Sequence, residues 1–168
     1  YAMLIYAKKI AVCPITTHLP LKKVYKSISK KKIINKVKLI NDFYKTKIKK
    51  TPKIAITGLN PHCESNEKTN EEKKHIIPAV KMLKKNKISI EGPFSADTIF
   101  IENQIKKFDV IVGMYHDQVL GPIKALYNFE AINITLGLPF LRVSPDHGPN
   151  QKMFGKNLSN PDSLLQAI

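Results

Sequence analysis

Three short runs rich in β-branched apolar residues, at 10–15, 53–57 and 109–113, each lead into a loop-like frame that carries a histidine. The frames are Thr16-Thr17-His18-Leu19-Pro20-Leu21, Gly58-Leu59-Asn60-Pro61-His62 and Met114-Tyr115-His116-Asp117-Gln118. Runs of this length and composition read as buried strands. Segments with helical period separate them. A helix is expected after Pro20, and another over about 30–49 with Ile33, Val37, Ile40, Tyr44 and Ile48 on one face. Thr69-Asn70-Glu71-Glu72 has the pattern of a capping box, opening a helix whose apolar side includes Ile76, Ile77, Val80 and Leu83. Further strands are expected at 88–90 and 131–135, and the opening Tyr1-Ala2-Met3-Leu4-Ile5 resembles the interior of a strand. Ser95-Ala96-Asp97-Thr98 is expected to begin a short helix, 118–127 to form another, and Pro161 to start a last helical piece; the Gly- and Pro-rich stretch from Gly137 reads as loop. Strands alternating with helices predict an α/β fold, a mostly parallel sheet covered on both faces.

In such a sheet ligands collect at the carboxyl ends of the strands. Three imidazoles delivered to that edge can close around one divalent metal and leave a coordination position open for substrate. The plainer alternative is three unrelated loop histidines, each bonded to nearby backbone. Cys63, beside His62, is open to the same two readings, metal ligand or small semi-buried filler.

The 168 residues suffice for one domain with a real core, or one and a fraction. No apolar run approaches the roughly 18 residues of a membrane span, and no segment has the pattern of a signal peptide. The strand-like opening leads us to expect a fragment of a longer chain. Two cysteines, Cys13 and Cys63, make no disulfide framework, so a reducing cytoplasm is the expected compartment. A net charge of +15 invites a nucleic-acid reading, but the composition argues against it. Of 28 basic residues only Arg142 is arginine. Lysine with abundant Ile and Asn is what an AT-biased genome writes on any solvated surface, and the lysine-rich stretch 22–50 lacks the aromatic interleaving that stacks bases. The lone guanidinium then becomes informative. In Leu138-Pro139-Phe140-Leu141-Arg142 it points to bidentate capture of a phosphate or carboxylate, with a structural salt bridge as the alternative.

Taken in order, six motifs name a family: Thr-Thr-His-Leu-Pro-Leu (16–21), Gly-Leu-Asn-Pro-His (58–62), Gly-Pro-x-x-Ala-Asp-Thr (92–98), Met-Tyr-His-Asp-Gln (114–118), Asn-Ile-Thr-Leu-Gly-Leu-Pro-Phe-x-Arg (133–142) and Asp-His-Gly (146–148). Across essentially the whole chain this series resembles the 4-hydroxythreonine-4-phosphate dehydrogenases of pyridoxal 5′-phosphate biosynthesis. The resemblance implies an isocitrate/isopropylmalate dehydrogenase-like α/β/α sandwich, an obligatory homodimer, and a chain that corresponds to the C-terminal half, lacking most of the first domain. It further implies that 1–145 form the metal- and substrate-binding, dimerising domain, and that 146–168 form a cofactor-loop segment returning toward the missing one. His18, His62 and His116 match the family's divalent-metal ligands, in a site that draws on both subunits. Lys124, Asn133 and Arg142 match substrate contacts, Asp97 and Asp117 match acidic residues near the metal, and Asp117, Asp97 and Lys124 are the catalytic candidates. Either aspartate could orient a ligand or move a proton; N-capping of an adjoining helix is the alternative for both, and a solvated helix face is the alternative for Lys124. Two departures affect loop geometry: Cys63-Glu64-Ser65-Asn66-Glu67-Lys68 replaces a glycine-rich stretch, and Val119-Leu120-Gly121-Pro122 replaces Gly-Leu-Pro.

No Gly-x-Gly-x-x-Gly is present. Instead His147-Gly148, Gly155-Lys156 and Asn160-Pro161 resemble the adenosine-binding loop of isocitrate and isopropylmalate dehydrogenases, departing at Pro149-Asn150-Gln151, with a Gly/Pro connector as the alternative. The resemblance implies an NAD- or NADP-dependent oxidation of a phosphorylated amino-acid alcohol to a β-keto acid that loses CO₂. The metal would act as Lewis acid. Three imidazoles favour Zn²⁺ or Co²⁺ over Mg²⁺ on softness. Rival readings are a sister dehydrogenase of a four-carbon sugar-acid phosphate, a metal-dependent hydrolase that needs no nucleotide, and a basic nucleic-acid module.

Overall fold

Hydrophobic periodicity resolves into one seven-stranded sheet with helices on both sides. The computed structural model describes residues 1–7, 9–65, 70–128, 130–146 and 151–168. The strands are β1 (Ala2–Ala7), β2 (Ile10–Thr16), β3 (Ile54–Thr57), β4 (Ile90–Phe94), β5 (Val110–Tyr115), β6 (Ile132–Leu136) and β7 (Arg142–Pro145), in spatial order β4-β3-β5-β2-β1-β6-β7. The helices are α1 (Leu21–Ser27), α2 (Lys30–Phe43), α3 (Ile77–Lys85), α4 (Glu102–Ile105), α5 (His116–Tyr127) and α6 (Asp162–Ala167).

The expected sheet was mostly parallel; the observed one is mixed. β4-β3, β3-β5 and β5-β2 are parallel, while β2-β1, β1-β6 and β6-β7 are antiparallel. The reason is local. β1 and β2 meet at Ala7↔Ile10 with only two residues between them, and a connection that short can join only antiparallel strands. β7 was missed altogether, since its Gly/Pro-rich surroundings read as loop.

Two apolar clusters form the layers. On one face Ile33, Val37, Ile40 and Tyr44 of the α2 segment pack with Ile76, Val80 and Leu83 against Leu4, Cys13, Ile54 and Val112. On the other, Val119, Leu120 and Ile123 of α5 pack on Ile5, Val12 and Ile111. Each fully buried Ile or Val contributes about 1.5–3 kcal/mol, so the predicted stripe on α2 secures that helix. α2 opens on Ser29, whose side chain accepts from the Lys32 N–H at 3.2 Å, and it runs into a π-helical turn over Tyr44–Ile48. The third helical segment is capped by Asn70, whose Oδ1 accepts from the Lys73 N–H at 2.9 Å. Thr69, the expected cap, lies outside the described residues, and Glu72 is committed elsewhere. No helix starts at Ser95; residues 96–100 form turns before α4.

α5 folds back closely against its own strand because position 113 is glycine. A Cβ there would sit 2.3 Å from Val119 Cγ1 and 3.1 Å from Gln118 Oε1. Gly113→Ala should cost about 1–3 kcal/mol through overpacking. Gly121→Ala on the open side of the same helix, where nothing lies within 4 Å, should be neutral or stabilising. Urea midpoints of the two variants check this, and equal midpoints would refute the close packing.

Candidate metal- and substrate-binding edge

Strand order places the sequence-distant histidines side by side. β4, β3, β5 and β2 run in the same direction and are consecutive neighbours, so their carboxyl ends carry Asp97, His62, His116 and His18 in that order along one edge. The His18 and His116 rings face each other with centroids 5.6 Å apart and planes tilted by 39°. Two imidazoles bound tetrahedrally at about 2.0–2.1 Å would have centroids roughly 5 Å apart. His116 Nδ1 lies 2.6 Å from Asp117 Oδ1, an arrangement that orients the ring and leaves Nε2 available for a ligand. Asp117 therefore does not cap α5; it sits in the first turn, where the helix dipole favours its charge, and buttresses the histidine.

His62 lies in a 3₁₀ turn at Pro61–Cys63. The loop is held by Glu72, which is buried: its Oε1 accepts from the Leu59 N–H at 2.7 Å and the Asn60 N–H at 2.8 Å, and its Oε2 accepts from Asn60 Nδ2 at 2.8 Å. Both His18 (φ 47°) and His62 (φ 54°) occupy the left-handed region, a strained conformation for non-glycine residues that concentrates at functional sites. Among the described residues no three His, Cys, Asp or Glu side chains approach closely enough to hold a metal. Within one chain, then, two of the three imidazoles are united and the third stands on the neighbouring loop. The donor chemistry fits a divalent cation: two neighbouring imidazoles, one with a carboxylate behind it.

Asp97 accepts from the Ser95 hydroxyl at 2.5 Å. That hydroxyl, with His62 adding a smaller attraction, holds its carboxyl below the usual range. Burial pushes the Cys63 thiol up, which favours a protonated filler over a thiolate ligand.

The anion-binding candidates share the α5 face. Ile5, in the cluster under α5, pairs directly with Asn133, and Thr135 pairs with Arg142, so Asn133, Thr135 and Arg142 lie on that side of β6 and β7. Arg142 donates through Nη1 to Thr135 Oγ1 at 2.9 Å, and no carboxylate pairs with it among the described residues, contrary to the salt-bridge alternative. Asn133 Oδ1 is buried without a hydrogen-bond partner among the described residues. Lys124 does not lie on a freely solvated face: Nζ is 2.7 Å from Asp146 Oδ2 and also donates to the Asp146 carbonyl. It stands eight residues after His116, about 12 Å along the axis of α5.

His147 and Gly148 lie outside the described residues. Asn160 is exposed, and its Oδ1 accepts from the Asp162 N–H at 2.7 Å, at the start of α6. Past residue 145 the chain returns to the same flank: the Asp146 N–H donates to Ser163 Oγ at 2.9 Å, and Ser163 Oγ donates to the Ala131 carbonyl at 2.6 Å. No helix of the described residues is long and apolar enough to cross a membrane. Sequence reasoning missed Glu72 and left Gln118, Thr57 and Thr16 without roles. Their one signal was a polar residue at the end of an apolar strand or just behind it.

Neighbouring imidazoles on strand-end loops, with Arg142 and Asn133 on the flank of the same sheet, stand at the edge where α/β enzymes bind their ligands. The whole chain, residues 1–168, matches the family model described as pyridoxal phosphate biosynthetic protein PdxA, and it belongs to that family. It is 52% identical over 170 aligned positions to the 4-hydroxythreonine-4-phosphate dehydrogenase of Sulfurihydrogenibium sp. (strain YO3AOP1), covering 100% of this chain and 52% of that protein. It is 37% identical, over 100% of this chain and 51% of the relative, to a protein of Oceanobacillus iheyensis provisionally named D-threonate 4-phosphate dehydrogenase. The crystal structure of the 4-hydroxythreonine-4-phosphate dehydrogenase from Klebsiella pneumoniae superposes with a TM-score of 0.85 at 31% identity, over 99% of this chain and 51% of that one. The chain spans about half the length of the relatives it matches.

Proposed function

We propose that this chain carries the metal- and substrate-binding part of a homodimeric, NAD(P)-dependent dehydrogenase. It would oxidise 4-phosphooxy-L-threonine to 2-amino-3-oxo-4-phosphooxybutanoate, which decarboxylates to 3-amino-2-oxopropyl phosphate. The reading rests chiefly on one observation, the 5.6 Å approach of the His18 and His116 rings at neighbouring strand ends, with Asp117 behind the second ring.

His18, His62 and His116 would hold the divalent cation (Zn²⁺, Co²⁺ or Mg²⁺), with Asp117 keeping His116 in the ligating tautomer. The bound ion supplies Lewis acidity that lowers the pKa of the substrate hydroxyl. Asp97, ionised and solvent-facing beside the His62 loop, accepts the hydroxyl proton directly or through an ordered water. NAD or NADP would supply the hydride acceptor, and His147, Gly148 and Asn160 of the 146–168 segment would help to seat it. Arg142 and Asn133 orient the substrate through its anionic groups. Lys124 joins them by exchanging Asp146 for the substrate, so that remote binding energy fixes the carbinol carbon.

The Oceanobacillus relative makes the four-carbon sugar-acid phosphate the specific rival substrate. The full-length protein should reduce NAD⁺ or NADP⁺ with 4-phosphooxy-L-threonine in a chelator-sensitive manner, and much more slowly with threonate or erythronate 4-phosphate. The reverse preference would move it to the sister reaction. Phosphate release without nucleotide would replace the dehydrogenase reading with a hydrolase.

A further inference from the structure

A line of buried side-chain hydrogen bonds crosses the three strand ends directly beneath the histidine loops. Thr16, the last residue of β2, donates its hydroxyl to the Met114 carbonyl of β5 at 2.8 Å. The Met114 N–H donates to Gln118 Oε1 at 2.6 Å, and the Thr57 hydroxyl, at the end of β3, donates to the same oxygen at 2.9 Å. Gln118 Nε2 then donates to the Gly58 carbonyl at 2.8 Å. Thr16, Thr57 and Gln118 are 4%, 0% and 9% exposed, so these partners satisfy them in place of water.

The location makes this more than satisfied polarity. Main-chain pairing between β3 and β5 ends at Ile56↔Val112. Beyond that point the strands are free to diverge, and it is there that Gln118 joins Gly58 to Met114. His62 lies four residues past Gly58, and His116 two residues past Met114. Thr16 likewise ties Met114 to the strand end two residues before His18. A primary amide alone supplies the combination required: one oxygen accepting twice and one nitrogen donating. An acid would set oxygen against the Gly58 carbonyl, and an apolar side chain would leave all three partners unpaired.

We propose that Gln118, supported by Thr57 and Thr16, is a positioning residue that sets the spacing of the His62, His116 and His18 loops for a shared divalent cation. This rests on the metal-dependent reading above. Its test is Co²⁺ binding alone, measured by calorimetry on the intact protein, with thermal unfolding of the metal-free protein in parallel. The variants are Gln118→Met and Thr57→Val, with Ile105→Val in the α5-side core as a stability control. Gln118→Met should weaken Co²⁺ binding tenfold or more, the range found for residues that orient metal ligands. Thr57→Val should weaken it a few-fold, and Ile105→Val not at all. Wild-type affinity in both Gln118→Met and Thr57→Val would overturn the positioning role while leaving the metal site intact. So would equal weakening in Ile105→Val. If Gln118→Met does not fold, Thr57→Val decides the question. Failure of the wild-type protein to bind Co²⁺ would instead remove the metal-dependent reading, and this inference with it.

Discussion

His116→Ala should lower metal-dependent nucleotide reduction about a thousandfold while leaving the unfolding midpoint almost unchanged. The ring is half-exposed at the start of α5 and makes its defined contacts with His18 and Asp117, so little packing is lost. A bound cation contributes several kcal/mol of transition-state stabilisation, and about 4 kcal/mol corresponds to a factor of roughly 10³. Asp117→Asn keeps an acceptor near Nδ1 but removes the charge behind the imidazole, so metal affinity should drop roughly tenfold to a hundredfold with a smaller loss of turnover. Steady-state rates with Co²⁺ or Zn²⁺ titrated in, alongside denaturation of each variant, provide the check. Undiminished turnover in His116→Ala would remove this residue from the metal site.

Glu72→Ala should destabilise the protein by about 2–4 kcal/mol, more than truncation of an exposed glutamate could. The side chain is 1% exposed and receives the Leu59 N–H, the Asn60 N–H and the Asn60 side-chain amide. Each buried donor left unpaired costs about 1–3 kcal/mol, reduced where the loop can relax toward water. Glu72→Gln retains one oxygen able to serve both backbone donors and should recover most of that loss. Because the same loop carries His62 in a strained conformation, Glu72→Ala should also weaken metal binding. Calorimetric unfolding of the two variants tests this, and a Glu72→Ala protein as stable as wild type would refute the anchoring role.

The close approach of Gly58 to this anchor explains a second constraint. A Cβ at Gly58 would lie 2.8 Å from Cys63 Sγ and 3.0 Å from Glu72 Oε1. Cys63 is thus accommodated by glycine at 58 and by its own left-handed backbone.

Much of the fold was legible because it follows from periodicity. The apolar runs at 10–15, 53–57 and 109–113 became β2, β3 and β5, and the Ile33–Val37–Ile40–Tyr44 stripe became the buried face of α2. These patterns need only the next few residues to be read. β7 and the antiparallel half of the sheet were not legible: Lys8-Lys9 between β1 and β2 is not a turn signature, the 142–145 segment is masked by its Gly/Pro-rich flanks, and β1 pairs with β6 from the far end of the chain.

The site divides the same way. The motifs around His18, His62, His116, Asp97 and Arg142 marked where chemistry-bearing residues lie, since each is a short, unusual string at a strand end. Strand order then decided which of them meet: β5 lies between β3 and β2, so His116 stands between His62 and His18 although 54 residues separate it from the first along the chain (116 − 62). The tertiary structure alone decided that Asp117 buttresses its neighbouring histidine instead of capping the helix. It also placed Lys124 against Asp146, and gave Glu72 and Gln118 to the loops they hold. The physical reason is that a strand or a helix is specified by nearest neighbours, whereas the partner of a buried polar group is chosen by desolvation, which exists only once the chain has closed around it.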